Sequence, residues 1–441
     1  MLLSIGSTKS ERFCFRIYLN DKGVSGYTID NPRAFLSQEA IDRRNKEGIP
    51  VDESDLPLAA SCLDTLVSLG ATPVVMSKWL STVVVECEDS ITAHKLQSLA
   101  IVDSVRLVWK GEQRLTSPVA DRDTSRLLPV DKPQKSPYGY AEAQIKMLNG
   151  IRLHEKGYRG KGMKVAVIDA GFINVDRMAV FESLDLAGTH NVVNPGESVF
   201  SDDDHGTRVL SCMAANAPGV IIGTAPEASY WLIKSEDNNS EFPIEEDYWA
   251  AAAEFADSAG VDVISSSLGY FTFDEKELSY LPTMLDGRTT LVSRAADKAA
   301  DKGILLFVSA GNEGNGSWEK LTFPSDAMHV LTVGSITQDK ERSVFSSIGP
   351  AADMRVKPDI VALGTNCAVA DSSGSIRHAN GTSFSTPIAA GLGICLWQAL
   401  PQLSNMEIAR LIQRSSSQYD RPDDQLGYGI PDLYKAFKTK H

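Results

Sequence analysis

The chain has 441 residues, of which 43% are hydrophobic and 23% are charged, as in a globular protein with a large core. Its formal net charge of −14 argues against a nucleic-acid partner, because no basic stripe offsets the repulsion. No apolar run approaches the roughly 18 residues that a membrane-spanning helix needs, so we expect no transmembrane segment.

The first residues, MLLSIGSTKSERF, lack the pattern of a signal peptide, since their apolar stretch is short and no basic residue precedes it. Cys212 and Cys395 lie in apolar helical patterns and are interpreted as core thiols. The cysteines show no CxxC spacing, so a zinc site is not expected. The six are Cys14, Cys62, Cys87, Cys212, Cys367 and Cys395. This pattern leaves the cellular compartment open.

Residues 1–110 are predicted to form a small α+β domain. Its predicted strands are 13–19, 72–79, 80–87 and 102–109, and its predicted helices are 35–48, 58–70 and 90–100. Residues 111–139 are polar, contain four prolines and lack apolar periodicity. They are therefore predicted to be a linker and processing region.

Residues 140–441 are predicted to form an α/β domain with a mainly parallel sheet and helices on both faces, because apolar strand-like runs alternate with helical ones. The stretch 315–378 is more irregular, and an apolar helix follows at 380–400. The predicted strands are 163–169, 228–234, 261–269 and 304–312, and the other predicted helices are 205–215, 245–260, 291–303 and 404–416. The last of these begins with a capping box, Ser404 with Glu407.

Four polar residues fall at the ends of these elements, where parallel sheets carry their functional groups. Asp169 ends a strand, Asn312 follows another strand, His205 begins a helix and Ser383 lies at the mouth of the apolar helix. Asp, His and Ser in this chain order are one known arrangement of a nucleophilic triad. His205 would accept the Ser383 proton, and Asp169 would orient the imidazole. The Asn312 amide and the Ser383 N–H would stabilise the oxyanion.

Three other interpretations apply to parts of the same sequence. The hydroxyls before Pro387 also suit a capped core helix, since Ser and Thr are preferred N-caps and proline is tolerated in a first turn. A dinucleotide-binding loop is excluded, because its glycines must follow a strand and the glycines of GKGMKVAVID precede the strand. A generic α/β hydrolase would carry GxSxG, which GTSFS does not match.

Further segments occur in the order found in the subtilisin-like serine peptidases, the subtilases, and the sequence resembles that family over about 140–437. The segments are AQIKMLNGIRLHEKGYRGKGMKVAVIDAGF, HGTRV, ISSSLGY, SAGNEG, FPSDAMHVLTVGSI, NGTSFSTP and GYGIPDLYKAF. The resemblance implies a serine endopeptidase, made as a zymogen, that cleaves extended polypeptides through an acyl-enzyme. It implies Asp169, His205 and Ser383 as the triad and Asn312 as an oxyanion donor.

The resemblance also implies a substrate cleft that pairs with the backbone of an extended polypeptide. The residues expected to line it are Ser266, Ser267, Leu268, Gly269, Ser309, Ala310 and Gly311. Residues 1–110 would be a prodomain that assists folding and then inhibits the enzyme with its C-terminal tail. The alternative is a permanent structural or recruitment module.

No cofactor for catalysis is expected. Structural calcium is common in the family, and the acidic segment 236–247 is a candidate for it, although no liganding pattern is readable. By resemblance, the protein would be exported to the cell envelope or beyond.

Three positions depart from the family pattern. Ala170 stands where many relatives have a hydroxyl residue that bonds the catalytic Asp. Tyr270 replaces a second glycine after SLG, so it would narrow the cleft or stack on substrate. The acidic run Asp202–Asp204 is either a solvated loop or a source of preference for basic substrates and of a raised His205 pKa. These departures leave open a rival, a silenced subtilase-fold protein that binds peptides with residues 1–110 in its cleft.

Overall fold

The computed structural model describes residues 11–112, 125–127 and 131–439. We call residues 11–112 the N-terminal module. Its strands are β1 (Arg12–Leu19), β2 (Thr72–Ser77), β3 (Thr82–Cys87) and β4 (Val102–Gly111), and its helices are α1 (Gln38–Glu47), α2 (Ala60–Val67) and α3 (Ile91–Gln97). The strands form one antiparallel sheet in the order β2-β3-β1-β4. The predicted small α+β fold is confirmed.

The rest of the chain is built on a seven-stranded parallel sheet in the order β13-β12-β11-β10-β5-β9-β6. These strands are β5 (Lys164–Asp169), β6 (Asp185–Asn191), β9 (Ser229–Lys234), β10 (Val263–Ser266), β11 (Leu305–Ser309), β12 (Leu331–Ile336) and β13 (Ile360–Leu363). Two short hairpins add β7 (Asn216–Ala217) with β8 (Ile221–Ile222), and β14 (Cys367–Ala370) with β15 (Ile376–Ala379).

The helices of this part are α4 (Glu142–Met147), α5 (Gly150–His154), α6 (His205–Ala214), α7 (Ile244–Ser258), α8 (Leu291–Asp301), α9 (Thr382–Ala399), α10 (Asn405–Ser415) and α11 (Leu433–Lys438). The predicted capping box of α10 is confirmed, with Ser404 and Glu407 bonding each other's backbone N–H groups. No helix among the described residues is long and apolar enough to cross a membrane.

Side chains of the central strands alternate between two hydrophobic cores. Val165 and Val167 of β5 pack in the core that contains α6 and α9, whereas Ala166 and Ile168 pack in the core that contains α7 and α8. This alternation follows from the strand period of two residues, and it buries both faces of the sheet. The predicted fold class, a parallel sheet covered on both sides, is therefore confirmed.

The structure differs from the sequence expectations in two stretches. Residues 315–378 were expected to be irregular, yet they contain four strands, β12 to β15. These strands have only four to six residues each, so they give too short a window for a periodic signal. In the expected linker 111–139, residues 113–124 and 128–130 lie outside the described residues, but 131–139 packs along the β7–β8 hairpin, with Gly139 bridged to Ile221.

The N-terminal module packs its sheet against α7 through charged groups that are removed from water. Arg16, on β1, is fully buried and donates from Nε and Nη2 to the Asp247 carboxylate at 2.6–2.9 Å. Glu254, also on α7, accepts from Trp79 N at 3.0 Å and from Lys78 N at 3.0 Å. Satisfied buried charges of this kind fix how the module sits on α7, because leaving one unpaired is costly.

From the buried contact of Arg16 we predict that alanine substitution of the two arginines of β1 lowers the stability of the protein by different amounts. Arg16→Ala leaves Asp247 buried without its partner and is expected to lower the free energy of unfolding by about 3–5 kcal/mol. Arg12→Ala is the control, because the Arg12 side chain is 37% exposed in its pair with Glu86. This substitution is expected to lower the free energy of unfolding by about 0–1 kcal/mol. Denaturant titration of full-length chains carrying Ser383→Ala, which prevents self-cleavage, measures both; equal losses would contradict the prediction.

Candidate active site

Asp169 and His205 meet at the carboxyl edge of the parallel sheet. Asp169 ends β5 with its side chain completely buried, and His205 is the first residue of α6. The Nδ1 atom of His205 lies 2.7 Å from Asp169 Oδ1, which also accepts from the Ala170 backbone N–H at 2.8 Å. This bond leaves Nε2 of the imidazole to act as a base.

The second carboxylate oxygen of Asp169 shows the effect of having alanine, and not a hydroxyl residue, at position 170. Asp169 Oδ2 is buried and has no hydrogen-bond partner among the described residues. Ala170 offers only its backbone N–H, so the side-chain hydroxyl that many relatives place here is missing. The expected loss of one orienting contact is therefore visible as an orphaned carboxylate oxygen.

The surroundings of His205 favour its protonated form. Burial of the imidazole lowers its pKa, but the charge and hydrogen bond of Asp169, followed by the charge of Asp203, outweigh this and raise the pKa to about 9. Arg208 opposes them weakly. Asp169 is the main source of this upward shift, and the acidic run Asp202–Asp204 adds to it through Asp203.

Ser383 lies in the first turn of α9 and is joined to Ser267 by a reciprocal pair of hydrogen bonds. Its Oγ donates to the Ser267 carbonyl at 3.3 Å, and Ser267 Oγ donates to the Ser383 carbonyl at 2.9 Å. The second bond has a cause in Pro387, which lacks the N–H that would bond Ser383 O within the helix. Pro387 was expected in the first turn of α9 and lies in the second, because the helix begins at Thr382.

The Asn312 side chain is attached to the start of α9. Its Oδ1 accepts from the Thr382 backbone N–H at 2.9 Å and from Thr382 Oγ1 at 3.0 Å. Because a backbone N–H can only donate, this contact fixes the amide orientation, and Nδ2 has no hydrogen-bond partner in the part of the chain that the structure describes. The Ser383 N–H is a second donor, since the first N–H groups of a helix have no partner within it. The hydroxyl cluster before Pro387 thus anchors a neighbouring loop besides beginning a helix.

The segment predicted to line the cleft after β10 is partly buried. Ser266 is fully buried and its Oγ accepts from Trp249 Nε1 at 2.9 Å, so it joins the end of β10 to α7 within the core. Ser267 is held by Ser383. Leu268 is half-buried and Gly269 is exposed, and the Gly269 backbone has no hydrogen-bond partner among the described residues. Only the end of this segment is therefore open to a ligand.

The second predicted segment, after β11, is also held within the fold. Ser309 Oγ donates to the Leu268 carbonyl at 3.2 Å, which joins the two segments. Ala310 is fully buried, and its N–H and carbonyl bond Val333 and Thr322. Gly311 has φ of +104°, and a side chain there would meet Ser347 Oγ at 2.8 Å, which explains the glycine.

Tyr270 has a different role from the one expected. Its side chain is buried, and its hydroxyl donates to Glu236 Oε1 at 2.6 Å. It therefore supports a carboxylate beside the site and neither narrows the cleft nor stacks on substrate. In the acidic run, Asp202 pairs with Lys234 and Asp204 with Arg208.

The described residues contain no group of three or more His, Cys, Asp or Glu side chains that could hold a metal ion, so calcium stays a prediction. All six cysteines are buried free thiols.

Two family models match this chain. The model for the subtilase family matches residues 160–429, more than half of the chain. The chain belongs to the subtilase family. A model described as the peptidase S8 propeptide domain of Bacteroidota matches residues 14–123, so this subtilase carries a propeptide domain before its peptidase domain. It is a subtilisin-type serine peptidase with the organisation of a zymogen.

Individual relatives agree with this assignment. Subtilisin DY from Bacillus licheniformis is 30% identical over 302 residues, which are 67% of this chain and 96% of that relative. Subtilisin NAT from Bacillus subtilis subsp. natto is 29% identical over 289 residues, 64% of this chain and 67% of the relative. The structure titled prenylagaramide maturation protease PagA covers 66% of this subtilase and 97% of its own chain, with a TM-score of 0.53 and 22% identity, and supports the fold alone.

The raised pKa of His205 predicts an alkaline pH profile for this subtilase. A base must be neutral to accept a proton, so kcat/KM is expected to rise with pH until about 9. Asp203→Asn removes one charge that raises this pKa and can keep the acceptor for the His205 N–H. Because its His205 pKa is lower, the variant is expected to have a kcat/KM at pH 7 about threefold to tenfold higher than that of wild type. Peptide-amide hydrolysis from pH 5 to 10.5 measures this, with the exposed Asp420→Asn as control. An unmoved ascending limb in Asp203→Asn would refute the assignment.

Proposed function

We propose that Ser383 is the nucleophile of this peptidase, that His205 is its general base and acid, and that Asp169 orients the imidazole. The contact that carries the proposal is the 2.7 Å bond between His205 Nδ1 and Asp169. The His205 ring lies 6.2 Å from that of Phe384, the neighbour of Ser383, so the base and the nucleophile share one edge of the sheet. Catalysis by these groups needs no cofactor.

In the reaction, the Ser383 hydroxyl leaves the Ser267 carbonyl and donates to His205 Nε2 as substrate binds. Such bonds often form only in the substrate complex, and none joins His205 to Ser383 among the described residues. Ser383 Oγ attacks the peptide carbonyl, and the proton passes through His205 to the leaving amine. Asn312 Nδ2 and the Ser383 N–H donate to the oxyanion, and water then releases the acyl group by the reverse proton path.

The substrate is an extended polypeptide that lies against Ser267–Gly269 and Ser309–Gly311. The unbonded Gly269 backbone supports this pairing, because a strand added at an edge needs free N–H and carbonyl groups. Ser266 and Ala310 contribute by supporting these segments from within the core.

The active-site assignment predicts selective labelling by a fluorophosphonate probe. Processed wild-type enzyme is expected to label at Ser383 and to hydrolyse peptides, whereas Ser383→Ala does neither. Asn312→Ala should label but lose about 10²–10³-fold in kcat, because an oxyanion donor is removed; the magnitude is that of a subtilisin asparagine. Labelling of wild type that persists in Ser383→Ala would reject the nucleophile, and no labelling of processed wild type would favour the silenced alternative.

We further propose that the N-terminal module inhibits its own peptidase domain until it is cut away. The propeptide match and the packing of the module on α7 support this role. The relatives include a protein named minor extracellular protease Epr, from Bacillus subtilis, which supports export of this chain to the envelope or medium. Calcium that stabilises the fold is a separate proposal, tested by the melting temperature with and without a chelator.

The flanks of the connecting segment predict where processing occurs. β4 holds the chain up to Gly111, and on the far side Leu127 bonds the backbone of Arg177 and Ala179 at 2.9 Å. The family model for the propeptide ends at residue 123. We therefore expect the bond cut during maturation to lie between residues 112 and 125. N-terminal sequencing and intact mass of the purified protein over time measure this, with Ser383→Ala as the uncut control; a new N-terminus after residue 125 would contradict it.

A further inference from the structure

A pocket of about 560 Å³ lies beside His205, and one of its walls is the segment Ser267–Gly269. The other walls are mostly acidic and come from the chain after β9, from the loop before α6 and from the loop after β10. The carboxylates that line the pocket are Asp203, Glu236, Asp237, Glu241, Glu245 and Asp274. The catalytic steps proposed above use none of these six groups directly.

Two cations on the elements that carry the acidic pocket are paired with other acids. Lys234 pairs with Asp202, and Arg208 pairs with Asp204 at 2.6 Å. Among the described residues, none of the six carboxylates forms an ion pair with a lysine or an arginine. The pocket therefore offers acidic groups without cationic partners to a ligand that enters from the cleft.

One of the six carboxylates is buried with a free oxygen. Glu245, in the first turn of α7, is only 1% exposed; its Oε1 accepts from the Asp237 N–H at 3.0 Å, and its Oε2 has no partner. Burial, followed by the charges of Glu236 and Glu241, raises the pKa of the Glu245 carboxyl. A buried oxygen that lines a pocket and lacks a donor can be satisfied by a ligand that brings one, such as an ammonium or guanidinium group.

The arrangement suits an organic cation better than a metal ion. Within the described ranges, no three acidic side chains come together in a way that could hold a metal. The carboxylates are instead spread over the walls beside the half-buried Leu268. An ammonium or guanidinium group on a flexible stem can donate to several separated oxygens while its methylenes cover an apolar side chain.

The end of β4 indicates which part of a polypeptide reaches the pocket. Trp109 Nε1 donates to Ser240 Oγ, which lines the pocket, at 3.3 Å, and Lys110 pairs with Glu275 at 2.9 Å. The module therefore ends beside the acidic pocket, and this end precedes in sequence the bond proposed to be cut. The pocket therefore lies on the side of residues N-terminal to the bond that is cut.

We propose that this acidic pocket binds the side chain of a lysine or an arginine of the polypeptide substrate, at a position N-terminal to the scissile bond. The inference rests on the proposed function, because it names the substrate class of the same site. It makes the enzyme a peptidase that selects basic sequences.

The test uses internally quenched peptides cut by the processed enzyme, with Arg, Lys, Gln or norleucine placed in turn at each of the four positions before the scissile bond. At one position, Arg and Lys are expected to raise kcat/KM at least about tenfold over Gln, because a charge-assisted bond to a buried carboxylate is gained. Glu245→Gln and Glu241→Gln are expected to reduce that ratio to about twofold or less.

A matched control is Glu275→Gln, which removes a carboxylate next to Asp274 in the same loop but outside the pocket lining. It is expected to keep the wild-type ratio, since Glu275 does not line the pocket. A ratio near one at every position in wild type, or an unchanged ratio in both pocket variants, would overturn the proposal. So would loss of the preference on adding calcium, because the occupant would then be a divalent cation.

A second measurement separates this proposal from the proposed function. If wild type neither labels with the fluorophosphonate nor cuts any peptide, the peptidase assignment fails. Calorimetric titration of N-acetyl-arginine amide into Ser383→Ala, freed of the N-terminal module by limited proteolysis of the connecting segment, then tests the pocket alone, against the same protein with Glu245→Gln. If Ser383→Ala binds the amide at least about fivefold more tightly than the double variant does, the proposed role of the pocket is supported. Equal or absent binding overturns it.

Discussion

The burial of α9 across the parallel sheet is the constraint on which the site depends. The helix is buried from Thr382 to Trp397 and packs against strands β10 to β13. Two glycines allow this close approach, because a side chain at Gly391 would meet Thr224 Oγ1 at 2.0 Å and one at Gly393 would meet Phe307 at 2.6 Å. A helix packed this closely cannot shift along the sheet, so its first turn is fixed at the carboxyl edge of the strands.

That first turn connects the groups around it. Asn312 bonds Thr382, Ser267 bonds Ser383 in both directions, and the carbonyl freed by Pro387 accepts one of those bonds. The first turn of α9, with Ser383, is therefore held by segments that follow two different strands, β10 and β11. A proline that would weaken an isolated helix here gives a carbonyl to a neighbouring element, which couples the start of α9 to the cleft.

Helix α7 carries acidic side chains towards two different partners. Asp247 and Glu254 face the N-terminal module and are satisfied by its arginine and backbone donors. Glu245, in the same first turn as Asp247, lines the pocket beside His205 and keeps one oxygen unpaired. The acids of α7 are thus matched by an arginine and by N–H donors at the module interface, whereas Glu245 keeps an unmatched oxygen in the pocket that we propose binds a substrate cation.

The sequence by itself determined the fold class and the four groups of the candidate site. Strand-end positions indicated Asp169 and Asn312, and helix-start positions indicated His205 and Ser383, because parallel strands bring their carboxyl ends to one edge. The tertiary structure alone decided the contacts between segments distant in the chain. The Ser267–Ser383 pair spans 116 residues and the Tyr270–Glu236 bond spans 34. The burial of Ser266 and Ala310 and the convergence of acids at the pocket were equally hidden, since local patterns carry no information on which loops pack together.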